Sequence, residues 1–239
     1  MLAVGKKALK VVELFDDLTK EYVADIQFGA VSTTFDREGV IEKVPAKAGW
    51  KIPDESDIQK MIRDRFLGNI SQVPPIYSAI HIGGERAYRK AMQGRTVNMP
   101  AREVEIKKCE IITYNYPKLQ LRVVCGSGTY IRSLANDLGE LLRCGGYLEN
   151  LRRTKVGDWS LENAVDPKKV NWTNVMPLKD VLKNLPAIEL TTDEFTDLSQ
   201  GKNIERNVPA KNTIGWHEEL PVALLVTAGD GWAHARKVF

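Results

Sequence analysis

The stretch Cys125–Trp159, CGSGTYIRSLANDLGELLRCGGYLENLRRTKVGDW, constrains the fold more than any other part of the chain. It opens with Gly126-Ser127-Gly128, a turn whose missing side chains let backbone approach another group closely. Ile131, Leu134, Ala135, Leu138, Leu141 and Leu142 then recur at three- and four-residue spacing, which predicts a helix with one apolar stripe. Thr129 and Arg132 stand at its first turn, and Cys144-Gly145-Gly146 ends it. The basic run Leu151-Arg152-Arg153-Thr154-Lys155 reads as extended. Arg132 is the unusual residue, an obligate cation at a helix start. It reads either as a solvated arginine or as a group facing the concave backbone of the glycine turn.

The flanking chain alternates between two periods. Ala8, Val11, Leu14 or Phe15, and Leu18 predict a helix over 7–18. Tyr22, Ala24, Ile26 and Phe28 alternate with polar or smaller residues as a half-buried strand ending at Gly29. A polar loop over 32–39 leads into a short strand over 40–44. Asp54 is the expected N-cap of a helix that turns Ile58, Met61, Ile62 and Phe66 inward and stops at Gly68. Gln72–Ala79 must begin extended, because proline disfavours helix in the residue before it. It continues as a strand to Ile82, a Gly83-Gly84 turn and a short helix closed by Gly94. Residues 102–114 and 118–124 predict a hairpin turning at Tyr116-Pro117. Beyond Trp159, Pro167, Pro177 and Pro186 mark a connecting segment with one short helix near 178–185. Thr192 is the expected cap of a helix containing Phe195 and Leu198, and strands over 222–227 and 232–238 join at Gly229-Asp230-Gly231. The pattern is α+β, a mixed, largely antiparallel sheet flanked by helices, with a small β-rich C-terminal domain. The expected division is 1–185 and 186–239.

Charge is unevenly placed. The 239 residues carry a net +3, yet 186–239 hold five Lys/Arg against eight Asp/Glu, so the first 185 residues carry +6. A basic body favours a polyanion, though many cytosolic enzymes are equally basic. Three cysteines (109, 125, 144) without C-x-x-C spacing, and no signal-peptide pattern at the start, point to a reducing cytoplasm rather than disulfides or zinc. His81, His217 and His234 are too scattered for a metal site, and no apolar run is long enough for a membrane span. Neither G-x-x-x-x-G-K-[ST] nor G-x-G-x-x-G occurs, and the histidines fit no hydrolase elbow.

Two tyrosines are informatively placed, Tyr22 on the strand face with Ala24 and Tyr130 beside Arg132. Both read as core or rim tyrosines. The alternative is a flipped base stacked on one ring, with an arginine fixing a carboxylate nearby. Arg152, Arg153 and Lys155 then meet phosphates, or else form a solvated strand edge.

Taken together, these residues resemble the bacterial tRNA pseudouridine-55 synthase family of the TruB type. Lys20-Glu21-Tyr22-Val23-Ala24 resembles its K-x-Y-x-A strand. Ser32–Gly39 resembles its T-D-T-x-D-x-x-G loop with the first two positions altered, and Asp36 matches the second aspartate. Gln72–Ala79 resembles Q-x-P-P-x-Y-S-A, Gly128–Ala135 resembles G-T-Y-I-R-S-L-A, and Gly145–Thr154 resembles C-G-A-x-L-x-x-L-R-R-T. Leu190-Thr191-Thr192 and Gly201 are similar, more distantly, to a shortened PUA-like RNA-binding module.

The resemblance implies the pseudouridine synthase fold, a tRNA T-arm stem-loop as partner, a monomer, no metal and no cofactor. It implies that Arg132, Tyr22 and Asp36 act at the catalytic centre: Arg132 pairs with the attacking aspartate, and Tyr22 stacks on the base. Tyr130, Leu151, Arg152, Arg153, Lys155 and His81 are implied in substrate binding, and His81 stands where the family often has lysine. The family's attacking aspartate lies in H-x-G-T-L-D-P-x-A-x-G, ahead of the segment that Met1–Gly5 matches, and that motif is not in this sequence. The expectation is an N-terminally truncated copy, with an inactive relative as the alternative.

Overall fold

A six-stranded sheet carries the larger of two compact units, residues 18–164; the smaller joins residues 1–17 to 165–239. The computed structural model describes residues 2–239. The expected boundary at 185/186 falls inside the smaller unit, because the segment after Val165 clusters with the C-terminal strands.

The chain opens with α1 (Lys6–Val11), followed by one 3-10 turn over Val12–Phe15, so the helix expected over 7–18 is shorter and tightens at its end. The larger unit then runs through β1 (Lys20–Phe28), β2 (Ala30–Ser32), β3 (Ile41–Lys43), α2 (Glu55–Arg65) and β4 (Gly68–Gln72). It continues with β5 (His81–Ile82), β6 (Glu85–Arg86), α3 (Ala87–Met92), β7 (Arg102–Asn115), β8 (Lys118–Cys125), α4 (Ile131–Leu141), β9 (Gly146–Val156) and β10 (Trp159–Ser160). The sheet order is β10-β9-β1-β8-β7-β4, and every neighbouring pair is antiparallel. β4 was not expected from sequence and forms one edge; β9 is longer than the basic run alone suggested.

Asp54 caps α2 as expected, its carboxylate accepting from Asp57 N while Asp57 returns the bond to the Asp54 amide. α2 delivers Ile58, Ile62 and Phe66, and α4 delivers Ile131, Leu134, Ala135 and Leu138, onto Ala24, Ile26 and Phe28 of β1 and Leu119, Leu121 and Val123 of β8. That is one face of the sheet. Truncating a fully buried leucine such as Leu134 in a core of this kind costs about 2–5 kcal/mol. Glycine fixes how closely α4 approaches β9: a Cβ on Gly139 would overlap the backbone of Gly145 and Gly146.

The smaller unit contains α5 (Leu178–Leu182), β11 (Ala187–Glu189), α6 (Thr192–Ser199), β12 (Ile204–Glu205), β13 (Thr213–His217), β14 (Leu220–Gly229) and β15 (Trp232–Val238). Its five strands are ordered β11-β13-β14-β15-β12, with β11 parallel to β13. α6 is capped by Thr191, one residue before the expected Thr192, because Thr191 exchanges hydrogen bonds with Glu194 in a capping box. Leu190, Leu198, Ile204, Ala223, Leu225 and Ala233 form one core cluster, and Val11, Leu182, Ile214 and Leu224 a second.

Candidate active site

Arg132 lies in the first turn of α4, two residues past the N-cap Tyr130. The cap has no side-chain hydrogen bond of its own. Gln72, at the end of β4 and 2% exposed, substitutes for one. Its Oε1 accepts from the Tyr130 amide at 2.8 Å, and its Nε2 donates to the Tyr130 carbonyl at 3.0 Å. Ser133 Oγ donates to the Val73 carbonyl at 2.7 Å, a second tie between the helix start and the Q-x-P-P segment. These bonds aim the Arg132 guanidinium at the loop after β2.

That loop is built around Asp36. Ser32 Oγ donates to the Asp36 carbonyl at 2.5 Å. Thr34 Oγ1 donates to Asp36 Oδ1 at 2.5 Å, and the Glu38 amide donates to the same oxygen at 3.1 Å. Gly39 closes the loop, since a Cβ there would overlap the hydroxyls of Ser32 and Thr34. The loop is stitched to β9 by Arg37 N to Leu148 O at 3.1 Å and Leu148 N to Phe35 O at 2.9 Å. With Oδ1 fully engaged locally, Oδ2 is left for Arg132, whose Nη1 donates to it at 2.9 Å. Nη1 also donates to the Thr34 carbonyl at 3.4 Å, and Nη2 to the Tyr77 carbonyl at 2.9 Å. Arg132 is 24% exposed and Asp36 21%, so the pair is screened from bulk water without being sealed off. Arg132 is therefore not a solvated helix-start arginine.

Arg132, Asp36, Leu148 and Leu151 share a cleft of about 260 Å³ with Arg37, Glu38, Glu149 and Asn150. Registers across β1 place the other expected residues, because directly paired strand residues point to one face. Leu151 pairs with Ala24 and Arg153 with Tyr22, so both lie on the face that α4 covers. Arg152 pairs with Val23, and, past a bulge between Glu21 and Tyr22, Lys155 pairs with Glu21, on the opposite face. The three basic residues that read as one run are thus divided between two surfaces. Tyr22 is half-buried at the margin of the main core. The Tyr130 ring packs against the separate cluster of Ile80, Ala87 and Met99, and the cleft lining includes neither tyrosine. His81 is exposed on the β5–β6 hairpin, opposite Arg86.

Sequence reasoning gave no role to Gln72, Thr34 or the Tyr77 carbonyl, although each lies in a motif quoted above. Their contacts run to residues 55 to 98 positions away or within a loop, so no local periodicity signals them. Cysteine chemistry is disfavoured: burial raises the Cys125 and Cys144 thiols and pushes Cys109 up to about 12. Among the described residues, no group of three or more His, Cys, Asp or Glu is placed to hold a metal ion, and no helix is long and apolar enough to cross a membrane.

Solved structures match over nearly all of the chain. A Cbf5–Nop10–Gar1 complex matches with a TM-score of 0.65 at 18% identity, over 98% of this chain and 70% of that one. An H/ACA ribonucleoprotein bound to a substrate RNA containing 2′-deoxyuridine matches with 0.64 at 17%, over the same shares. At such identities the likeness defines the class of fold alone, the one shared with those complexes.

Sequence comparison is more specific. The model of the TruB family pseudouridylate synthase N-terminal domain matches residues 1–131, and that of the tRNA pseudouridylate synthase B C-terminal domain matches 132–183. The tRNA pseudouridine synthase B of Syntrophomonas wolfei is 38% identical over 208 residues, 82% of this chain and 68% of that protein. The enzyme of that name from Dehalococcoides mccartyi is 32% identical over 244 residues, 98% of this chain and 80% of that protein. This chain belongs to the TruB family of pseudouridylate synthases.

Proposed function

We propose that this chain is the uridine-handling body of a tRNA pseudouridine synthase, acting on the T-arm uridine at position 55 after that base is flipped out of its loop. The observation that carries the reading is the Arg132–Asp36 pair, at 2.9 Å, lining a cleft walled by Leu151. In the reaction an aspartate attacks the uridine, the bond between ribose and base breaks, the base turns, and a carbon of the base rejoins the sugar without a cofactor. The attacking aspartate belongs to the H-x-G-T-L-D-P motif, which these 239 residues do not contain. This chain supplies its partner instead. Arg132 has five N–H donors and makes three contacts, so its fork retains capacity to hold a second carboxylate ionised and oriented.

Within this reading, Asp36 holds the guanidinium in place, Tyr22 stacks on the base, Tyr130 supports it, and Leu151 packs as an apolar wall. Arg153 and His81 meet phosphates, whereas Arg152 and Lys155 face the other side of the sheet, and residues 186–239 act as a PUA-like RNA-binding module. The protein works as a monomer in the cytoplasm, away from membranes. Extraction of the base costs a few kcal/mol, offset by stacking and phosphate contacts.

The alternative reading is an RNA-binding or RNA-refolding relative without the reaction. Tritium release from T-arm RNA labelled at uridine C5 separates the two, using protein translated from its upstream reading frame as well as this chain. Release that depends on Arg132 supports the isomerase; RNA binding with no release from either protein selects the binder.

A further inference from the structure

Trp172 is the most exposed aromatic side chain among the described large hydrophobic residues, at 81%. It is not on a floppy tail. It opens a 3-10 turn, Trp172–Asn174, closed by a reciprocal capping box: Asn174 Oδ1 accepts from the Asn171 amide at 3.0 Å, and Asn171 Oδ1 accepts from the Thr173 amide at 2.9 Å. Thr173 Oγ1 donates to Asn171 Oδ1 at 2.6 Å, and the Val175 amide closes back on the Trp172 carbonyl at 3.2 Å. Just upstream, Asp166 fixes the backbone by accepting from the Lys168 amide through its carboxylate, at 2.9 Å, and from the Lys169 amide through its carbonyl, at 2.8 Å. The segment thus presents a large, mostly exposed ring on pre-formed backbone.

Its charge says what kind of surface would cover that ring. Lys168 and Lys169 lie four and three residues before the ring; over 166–180 three lysines stand against Asp166 and Asp180, a net charge of +1. An indole that keeps a π-face free close in sequence to Lys168 and Lys169 suits a flat aromatic group attached to an anionic chain, which is the chemistry of an unpaired nucleobase.

We propose that Trp172 is a stacking platform for an unpaired base of a bound RNA strand, with Lys168 and Lys169 on the adjacent phosphates. The contact lies in the smaller unit and involves none of the residues assigned to the uridine cleft. It rests on the RNA-binding reading above and adds a second, sequence-tolerant contact to it. Because the ring is pre-positioned, little ordering accompanies stacking, and the contribution goes into affinity rather than into isomerisation.

Anisotropy with fluorescein-labelled oligouridylate, using the full chain, tests this. Trp172→Ala is expected to weaken binding about tenfold, whereas Trp172→Phe, which keeps a π-face, stays within about threefold of the parent. Lys168→Ala and Lys169→Ala each flatten the salt dependence by about 0.7 in log–log slope. The Trp172 emission, isolated as the difference between parent and Trp172→Phe, is quenched on adding the oligonucleotide. Equal affinity of Trp172→Ala and parent for an RNA that the parent does bind overturns this proposal and leaves the pseudouridine synthase reading untouched. Failure of the parent to bind any RNA removes both. Trp172-dependent binding to phosphatidylserine vesicles with unchanged RNA affinity overturns the proposal in favour of a membrane contact.

Discussion

The two faces of the six-stranded sheet are made from the same strands and do opposite things. On the covered face, Ala24, Ile26, Leu121 and Leu148 are buried beneath α4, Leu151 lines the Arg132–Asp36 cleft, and Arg153 continues that face past it. On the other, Asp25 holds its neighbours with polar bonds: Gln120 Nε2 donates to Asp25 Oδ1 at 2.7 Å and Asn150 Nδ2 to Oδ2 at 3.2 Å. Arg152 and Lys155 belong to this second face. One residue of register, together with one bulge, decides which face of the sheet a basic side chain of β9 is on. The comparison teaches that proximity in sequence is a poor guide to a shared phosphate footprint on a strand.

The comparison breaks most visibly at Arg132. Arg132→Lys, in protein that carries the attacking aspartate, is expected to lower kcat about a hundredfold or more while RNA affinity is kept, because lysine lacks the planar fork. Unchanged turnover in single-turnover kinetics would remove Arg132 from the reaction. Leu134→Ala tests the covered face as packing alone. Chemical denaturation is expected to show a loss of about 3 kcal/mol, and a loss below about 1 kcal/mol would mean that α4 is not the lid of this core. Next in size is a contrast between neighbours. Arg153→Ala is expected to reduce the salt slope of RNA binding by about 0.9, with Arg152→Ala leaving it nearly unaltered. Equal changes for the two variants would show RNA reaching round both faces.

The smallest effect lies in the other unit. Hydrogen bonding from Arg206 lowers the Glu194 carboxyl below its ordinary 4.5. Because the folded value is the lower one, the stabilisation is present above about pH 4.5 and is lost as pH falls through the folded value. Glu194→Gln is expected to cost about 1 kcal/mol or less at neutral pH, a difference that shrinks on acidification. A pH-independent difference would assign the effect to the cap alone.

Where a local signal existed, the elements were legible. Alternation from Tyr22 to Phe28 marked β1, the Asp54 cap marked α2, and the apolar stripe from Ile131 to Leu142 marked α4. β4 was missed because Gly68-Asn69-Ile70-Ser71-Gln72 offers one apolar residue; an edge strand with one partner needs little side-chain pattern. β13 was missed because Thr213-Ile214-Gly215-Trp216-His217 is held by pairing on both sides, and its first three residues are buried without alternation. At the site, Arg132 stood out as a chemical anomaly, but its contact with Asp36 spans 96 positions and no spacing rule reaches that far. Motif resemblance alone brought Asp36 near the cleft, and it was silent on which oxygen would be free.

The amide of Gln72 gives the sheet margin a lever on chemistry that it never touches. By gripping both backbone groups of Tyr130, it makes the outermost strand and the helix start a single mechanical piece. The position of Arg132, two residues along, is therefore referenced to β4 as well as to its own helix.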